Sequence, residues 1–204
     1  MSDLSVAIGV LTFKRTESLE ELLPRLLDQL DTLPSDIRGE ILVIDNDPER
    51  SAESTVRDRH PLIHYINESV PGIAAARQRC LDEAGDFDLL QFIDDDEEPI
   101  DDWLLTMITA WRTFGQPAAV AGRVFPRYEV TPSDWIVAGG FFDRPHYPSG
   151  TVVPVASSGN LLLDLNQVGH FQDFLDARKG EPGSLATSYL VDLDLMLHRI
   201  FSHP

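Results

Sequence analysis

Seven carboxylates stand within nine residues, 94–102, directly behind a short apolar stretch at 89–93. The apolar stretch, bounded by polar residues, predicts a buried strand. Carboxylates crowded at the end of such a strand raise one another's pKa and destabilise the fold unless a cation neutralises them. Mg²⁺ and related hard cations bind oxygen ligands and keep positions open for phosphate oxygens. This spacing therefore predicts a metal–phosphate site at the carboxyl end of the strand; the alternative is a solvated acidic loop.

The strands and helices around the acidic run must place it where a ligand can bind. Apolar runs predict the strands, and apolar spacing near 3.6 residues predicts the helices between them. The alternation indicates an α/β fold with a doubly wound, mostly parallel sheet flanked by helices. Such sheets bind ligands at the carboxyl ends of their strands, where Thr12, Asp45 and Asp94 all fall. The predicted strands are 5–12, 40–45, 63–66, 89–93 and 118–124, and the predicted helices include a leucine-rich stretch from residue 18, 72–83 and 103–111.

Three local expectations concern helix ends and the second half of the chain. Ser18 and Glu21 fit a capping box at the start of the first helix, although Pro24 requires either a later start or a kink. Residues 125–158 break the periodic pattern, and their aromatic content predicts an irregular but ordered segment. A leucine-rich stripe predicts a final helix over roughly 184–200.

The composition is that of a soluble globular protein large enough for one domain. Of the 204 residues, 43% are apolar and 25% charged, which are ordinary values. No apolar stretch approaches the roughly 20 residues that span a bilayer, and the first residues lack the basic region of a secretory signal. The single cysteine, Cys80, excludes an internal disulfide and fits a cytoplasmic location. A formal net charge of −18 argues against nucleic acid or an anionic membrane as the main partner.

Four segments, taken in order, resemble the family-2 glycosyltransferases of the GT-A fold. The segments are AIGVLTFKR at 7–15, ILVIDND at 41–47, PGIAAAR at 71–77 and FIDDD at 92–96. The resemblance implies a single GT-A domain over 1–204, with a Rossmann-like nucleotide-sugar donor half at 1–124 and a short, atypical acceptor half at 125–204. It also implies transfer of a sugar from a nucleotide-sugar to an acceptor with inversion and with Mg²⁺ or Mn²⁺.

The resemblance also assigns roles within the acidic run. Asp94 and Asp96 match the family's Asp-x-Asp motif, which implies that Asp94 helps to hold the ribose and that Asp96, with Asp94 beside it, binds the metal ion. Asp95, between them, belongs to the implied nucleotide-binding set. A divalent ion there stabilises negative charge on a departing nucleoside diphosphate. The motif requires a turn at this point, and Pro99 downstream is consistent with one.

Five further residues match positions that line the nucleotide in the family. Asp45 matches the carboxylate that accepts a hydrogen bond from the base, and Arg77 matches a cation of the nucleotide pocket. Thr12 and Phe13 are implied to line the base, and Arg15 belongs to the same segment. The alternatives are a turn-forming role for Asp45, an exposed helix-surface position for Arg77 and a core position for Phe13.

The sequence departs from the family at the general base, which an inverting transferase needs. The family supplies it from a Glu-Asp pair after a glycine; Glu181 fits the first position, but Pro182 replaces the second residue. In another placement Asp192 is the base, because residues 192–195 resemble the trailing Asp-x-Asp-Leu of the motif. A solvated helix face explains Asp192 equally well. The chain ends soon afterwards, where the family continues, so a minimal member, a truncated product and an inactive remnant that binds nucleotide are all open.

Two other features belong to the acceptor half. Residues 157–160 resemble the small glycine-containing turn that faces the donor sugar or the acceptor, with an ordinary turn as the alternative. Trp135, Phe141 and Tyr147 are candidates for stacking on a sugar ring, or for packing over the edge of the sheet.

The leading interpretation is a cytoplasmic, metal-dependent glycosyltransferase of polysaccharide biosynthesis that uses a UDP-sugar and a saccharide or lipid-linked acceptor. No nucleic-acid partner and no membrane-spanning segment are expected, while a peripheral membrane association is compatible with a lipid-linked acceptor. One alternative is a nucleotide-sugar-binding module that has lost its general base. Another is a sugar-phosphate nucleotidyltransferase, which is disfavoured because residues 12–16 carry cations but no glycine.

Overall fold

The computed structural model describes residues 3–128, 130–140, 147–153 and 159–168, together with the backbone of 188–191 and 196–200. The strands within these residues are β1 (Leu4–Thr12), β2 (Ile37–Asp45), β3 (Ile63–Asn67), β4 (Leu89–Asp94), β5 (Glu97–Pro99), β6 (Ala119–Gly122), β7 (Phe125–Tyr128), β8 (Thr151–Val153), β9 (Asn160–Asp164), β10 (Ser188–Val191) and β11 (Met196–Ile200). The helices are α1 (Thr16–Asp31), α2 (Glu53–Val56), α3 (Ile73–Glu83), α4 (Trp103–Thr113) and α5 (Asp134–Gly139).

Eight strands form one mixed sheet in the order β3-β2-β1-β4-β9-β6-β10-β8. Strands β3, β2, β1 and β4 are parallel, and β10 is parallel to β6. Strand β9 is antiparallel to both of its neighbours, and β8 is antiparallel to β10. A second sheet has the order β5-β11-β7. The predicted α/β class is confirmed, and the parallel pairings lie mainly in the half that the sequence assigned to the donor.

Helices cover both faces of the main sheet because alternate residues of a strand point to opposite sides. On β1, Val6, Ile8 and Val10 belong to a buried cluster with the apolar sides of α1 and α4. Ala7 belongs to a second cluster, which includes the buried residues of α3. The leucine stripe of α1 is buried in the first cluster, as its 3.6-residue spacing predicts. The strand ends are therefore held by packing on both sides.

Helix α1 begins earlier than the sequence predicted and continues through Pro24. Its first residue is Thr16, so the predicted capping box at Ser18 and the later start are both wrong. Pro24 lacks the N–H that would bond the carbonyl of Glu20. Arg59 donates to that carbonyl from Nη2 at 3.4 Å, which replaces part of the missing backbone bond.

The predicted final helix over 184–200 is wrong in the parts of that range that the structure describes. Residues 188–191 and 196–200 form strands β10 and β11. Strand β10 pairs with β6 and β8, and β11 pairs with β5 and β7. Leucine spacing in a short window does not separate a helix from two strands whose partners are remote in sequence. The segment 125–158 likewise contains short regular elements, namely β7, α5 and β8.

Within the part of the chain that the structure describes, none of the helices has the length and apolar character that crossing a membrane requires. The longest of them, α1, has 16 residues.

Asp88 joins the start of β1 to the loop before β4. Its Oδ2 accepts hydrogen bonds from Ser5 Oγ at 2.7 Å and from the Ser5 N–H at 2.9 Å. These bonds hold the pKa of Asp88 below its ordinary value. Asp88→Asn should lower the free energy of unfolding by about 1–2 kcal/mol at pH 7, because a neutral amide oxygen accepts weaker hydrogen bonds than a charged carboxylate oxygen does.

The pH dependence of this effect has a definite sign. Because the folded-state pKa is depressed, the stabilisation by Asp88 is complete above the unfolded-state pKa of about 4 and is lost as the pH falls through the folded-state pKa. The free energies of unfolding of wild type and Asp88→Asn, measured in urea, should therefore converge in acid. Asp86 is exposed nearby, and Asp86→Asn should have little effect at either pH. A difference between wild type and Asp88→Asn that persists unchanged in acid would contradict this account.

Candidate functional site

Three parallel strands of the main sheet end at the same edge. Thr12 at the end of β1 is paired with Asp45 at the end of β2, and Leu11 is paired with Asp94 at the end of β4. The register therefore brings Thr12, Asp45 and Asp94 to one edge, as their positions at predicted strand ends indicated. In open α/β sheets this edge is where ligands bind.

The acidic run is not a single solvated loop. The chain turns at 95–96 between β4 and β5, which is the turn that the Asp-x-Asp motif requires. Asp95 and both glutamates of the run are buried. Asp101 and Asp102 at the far end are exposed. The solvated-loop alternative therefore describes only these last two carboxylates.

Arg15 supplies positive charge to the buried part of this run. Its Nη1 lies 2.9 Å from Asp95 Oδ1 and 2.9 Å from Asp96 Oδ2, while the Thr12 hydroxyl donates to Asp95 Oδ2 at 2.8 Å. Burial, with the neighbouring charge of Asp96, raises the pKa of Asp95 above its ordinary value, although the Thr12 hydrogen bond and Arg15 lower it. Burial alone would lower the pKa of Arg15, but the two carboxylates outweigh burial and raise it. One guanidinium thus links the start of α1 to the turn after β4.

Glu98 fixes the other side of this turn. Its Oε1 lies 2.5 Å from Arg25 Nη2 of α1, and its Oε2 is paired with Arg127 of β7. Glu98 is buried, whereas about half of each arginine side chain is exposed. A buried carboxylate needs such partners because an unpaired charge in the interior is costly. The acidic turn therefore has an arginine-bound carboxylate on each side.

Gly159 lets two carboxylates approach the backbone at the start of β9. A Cβ at this position would lie 2.6 Å from Glu97 Oε1 and 2.8 Å from Asp94 Oδ2. The next residue, Asn160, is paired with the end of β4 in the antiparallel ladder, which sets Gly159 against Asp94. Of the predicted turn at 157–160, residues 157 and 158 lie outside the described residues, while the other two lie beside the acidic turn.

The oxygen ligands at this edge fit a hard divalent cation. Oxygens of Asp94 and Glu97 converge on the point beside Gly159, and Arg15 already places a cation between the two neighbouring aspartates. Among the described residues, no three acidic, histidine or cysteine side chains gather into a complete metal-binding set. An ion such as Mg²⁺, which usually takes one or two carboxylates together with substrate phosphates and water, would therefore need ligands from the substrate here.

Asp45 lies inside the turn that follows β2, with an exposed fraction of 0%. Its Oδ1 accepts from the Asp47 N–H at 3.1 Å, and its Oδ2 accepts from the Ala52 N–H at 2.9 Å and the Tyr65 hydroxyl at 3.0 Å. Burial and the hydrogen bond to Asp45 raise the pKa of Tyr65. These contacts are those of the turn-forming alternative, and they use three of the roughly four acceptor sites of a carboxylate. The contact between Asp45 and a base stays a prediction.

Phe13 and Arg77 stand where a ligand could meet them. Phe13 follows β1 with 54% of its surface exposed, so the core alternative for this residue is wrong. Lys14 Nζ lies 5.5 Å from the centroid of the Phe13 ring and 3.9 Å from Asp47 Oδ1. Arg77 lies in the second turn of α3 and is half-buried rather than exposed. Neither placement conflicts with the predicted role of the residue.

Sequence reasoning missed two polar residues that shape this edge. The carboxamide of Asn46 makes three hydrogen bonds to segment 68–72, and Arg25 binds Glu98. The position of Asn46 directly after a strand end was a usable signal, because the first residues beyond such ends shape ligand sites. No comparable sequence signal points to Arg25, which lies on the surface of α1.

The predicted acceptor-side residues are only partly placed. The two general-base candidates, Glu181 and Asp192, lie outside the described residues, as does Phe141. Trp135 on α5 and Tyr147 are both exposed, which disfavours the alternative that they pack over the sheet. Their stacking on a sugar stays a prediction.

Comparison with known sequences connects these residues to a described family. The profile of the family described as Glycosyl transferase family 2 matches residues 7–163, a range that contains every described candidate residue. The succinoglycan biosynthesis protein ExoM of Rhizobium meliloti (strain 1021) is 38% identical over 143 residues, which make up 68% of this chain and 44% of that protein. The chain therefore spans less than half the length of this curated relative.

Comparison with solved structures identifies the same architecture in S. aureus TarS. The structure of TarS 1-349 in complex with UDP-GlcNAc has a TM-score of 0.62 at 13% identity, over 98% of this chain and 60% of that one. A further structure of TarS 1-349 has a TM-score of 0.61 at 14% identity, over 96% of this chain and 60% of that one. Sequence identities this low show a shared fold and do not identify the substrate.

Proposed function

The chain belongs to glycosyl transferase family 2 and has the GT-A fold, and on this premise we propose that it transfers a sugar from a UDP-sugar to an acceptor hydroxyl. The proposal includes inversion at the sugar carbon and assistance by Mg²⁺ or Mn²⁺. The observation that carries it is the bridge from Arg15 to Asp95 and Asp96 at the edge where β1 and β4 end. A charged, partly buried network at this edge is suited to a nucleoside diphosphate and its metal ion.

The diphosphate of the donor is proposed to bind at the acidic turn and two arginines. Asp96, with Asp94 beside it, would hold the metal ion, and Asp94 is the candidate contact of the ribose. When bound, the ion supplies positive charge that stabilises the departing nucleoside diphosphate. Arg15 and Arg77 bring protein cations to the same region, which a chain with a net charge of −18 needs in order to bind an anion.

The nucleobase of the donor is proposed to stack on Phe13, and its contact with Asp45 stays a prediction. The exposed ring of Phe13 offers an aromatic face directly after β1, and rings of this kind stack on flat heterocycles. Thr12 holds the end of that strand to the acidic turn through its bond to Asp95. Asp45 contributes by shaping the turn after β2, where its carboxylate already accepts three hydrogen bonds.

The acceptor is proposed to be a saccharide or a lipid-linked saccharide in polysaccharide biosynthesis. The name of one relative supports this choice, since ExoM is named for succinoglycan biosynthesis; the UDP-GlcNAc in the TarS structure supports the choice of a UDP-sugar as donor. Glu181 and Asp192 remain the candidates for taking the proton of the acceptor hydroxyl. A cytoplasmic location, with peripheral membrane contact for a lipid-linked acceptor, belongs to the same proposal.

Calorimetry with UDP and GDP tests the donor site. UDP should bind in the presence of Mn²⁺ and lose most of its affinity in EDTA, because the metal ion and the diphosphate bind together. GDP has the same diphosphate and ribose as UDP, so the difference between their affinities reports the contribution of the nucleobase. Binding of neither nucleotide would overturn the proposed function, and equal UDP affinity in EDTA would overturn the role of the metal. Release of UDP from a UDP-sugar then distinguishes an enzyme from a nucleotide-sugar-binding module that has lost its general base.

A further inference from the structure

The side chain of Asn46 joins the end of β2 to segment 68–72, which leads into α3. Its Nδ2 donates to the carbonyls of Glu68 at 3.0 Å and Val70 at 2.7 Å, and its Oδ1 accepts from the Gly72 N–H at 2.8 Å. Asn46 is buried, so these bonds are shielded from water. A carboxamide has two donor hydrogens and one acceptor oxygen, and here all of them hold a single surface segment.

This segment depends on polar contacts for its position. Val70 and Ile73 are 60% and 58% exposed, so their apolar side chains do not anchor the segment in the core. Gly72 has a φ of 120°, a conformation that favours glycine, and α3 starts at the next residue. The bonds from Asn46, with the bond from the Glu68 N–H to the Asp45 carbonyl at 2.9 Å, therefore hold the segment from which α3 begins, one turn before Arg77.

The same residue is connected to the acidic turn. The Asn46 N–H donates to the Thr12 carbonyl at 2.9 Å, and the Thr12 hydroxyl donates to Asp95. We propose that Asn46 is a positioning residue for the nucleotide-sugar donor. It holds segment 68–72 and the start of α3, with Arg77, beside the ends of β1 and β2. This inference rests on the proposed donor site.

Asn67 at the end of β3 offers a matched control. Its Nδ2 donates to the carbonyls of Asp45 at 3.0 Å and Asp47 at 2.8 Å. Asn46→Asp and Asn67→Asp each remove two hydrogen bonds to backbone carbonyls and add the same charge, but only the first removes bonds to segment 68–72. Hydrogen exchange read by mass spectrometry reports the protection of residues 68–77, and calorimetry with UDP and Mn²⁺ reports the affinity.

Asn46→Asp should increase exchange in residues 68–77 and weaken UDP binding by about tenfold or more, because only molecules with the segment in place are competent to bind. Asn67→Asp should bind UDP much as wild type does. Glu68→Ala, which removes the Oε1 that accepts the Val70 N–H at 2.7 Å, is a surface variant that loosens the same segment without a change in the core. It should also increase exchange there and weaken UDP binding.

Equal UDP affinity in the Asn46 and Asn67 variants, with raised exchange in residues 68–77 of the first, would overturn the inference. Unchanged exchange in Asn46→Asp and in Glu68→Ala would overturn it as well. If wild type binds neither UDP nor GDP, the proposed donor site fails and the inference fails with it. The difference in hydrogen exchange between wild type and Asn46→Asp distinguishes the two failures, because it shows without nucleotide whether Asn46 holds residues 68–77 in place.

Discussion

Asp96→Asn is expected to weaken Mn²⁺-dependent binding of UDP by about 100-fold, the upper end of the loss caused by changing a residue that supports a bound metal. The substitution replaces a charged oxygen ligand by a neutral amide at the position proposed to hold the ion. It also removes one of the two carboxylates that share Arg15, whose Nη1 lies 2.9 Å from Asp96 Oδ2. Calorimetry with UDP, in Mn²⁺ and again in EDTA, measures the loss.

The control for this substitution lies in the same acidic run. Asp101 is exposed, and Asp101→Asn removes the same charge a few residues away, so it should retain nearly the wild-type affinity. The free energy of unfolding of Asp96→Asn should change by no more than about 1 kcal/mol, since Arg15 is half exposed and can be solvated. Equal losses of UDP affinity in both variants would show that the general negative charge, and not a ligand at Asp96, supports the nucleotide.

The strand ends that form the site could be predicted because they depend on local pattern. Each parallel strand is an apolar run that stops at a polar residue, and parallel pairing brings these stops to one edge. The register of Thr12 with Asp45 and of Leu11 with Asp94 follows from that rule. The turn at 95–96 was also readable, because the Asp-x-Asp motif requires the chain to turn there.

The partners of these residues could not be predicted in the same way. Arg15 reaches Asp95 from 80 positions away, and although its segment matched the family, nothing in the local sequence identifies Asp95 and Asp96 as its partners. Asp45 shows the converse: its place at a strand end suggested a ligand contact, yet the following turn and Tyr65 occupy its oxygens. Strands β10 and β11 depend on partners that a leucine pattern does not report. Tertiary contacts decide all three cases.

Trp103→Ala should lower the free energy of unfolding by about 3–5 kcal/mol, because it removes the largest fully buried side chain of the core. The loss extends toward the site. Trp103 Nε1 donates to Asn160 Oδ1 at 3.1 Å, and Asn160 also donates from Nδ2 to the Arg123 carbonyl at 3.1 Å. Asn160 is the neighbour of Gly159, so the indole helps to fix the backbone that lies against Asp94. Urea unfolding measures the change in stability.

A pair of Trp→Phe substitutions on α4 separates the hydrogen bond from the lost volume. Trp111 is also buried, but its Nε1 has no hydrogen-bond partner among the described residues. Both substitutions remove one ring and one N–H, whereas only Trp103→Phe withdraws a donor from a buried amide oxygen. Trp103→Phe should therefore cost about 1–2 kcal/mol more than Trp111→Phe. Equal losses would show that the indole bond is dispensable and that Asn160 is held by its other contacts, which include the bond from Gln91 Nε2 to its Oδ1 at 3.3 Å.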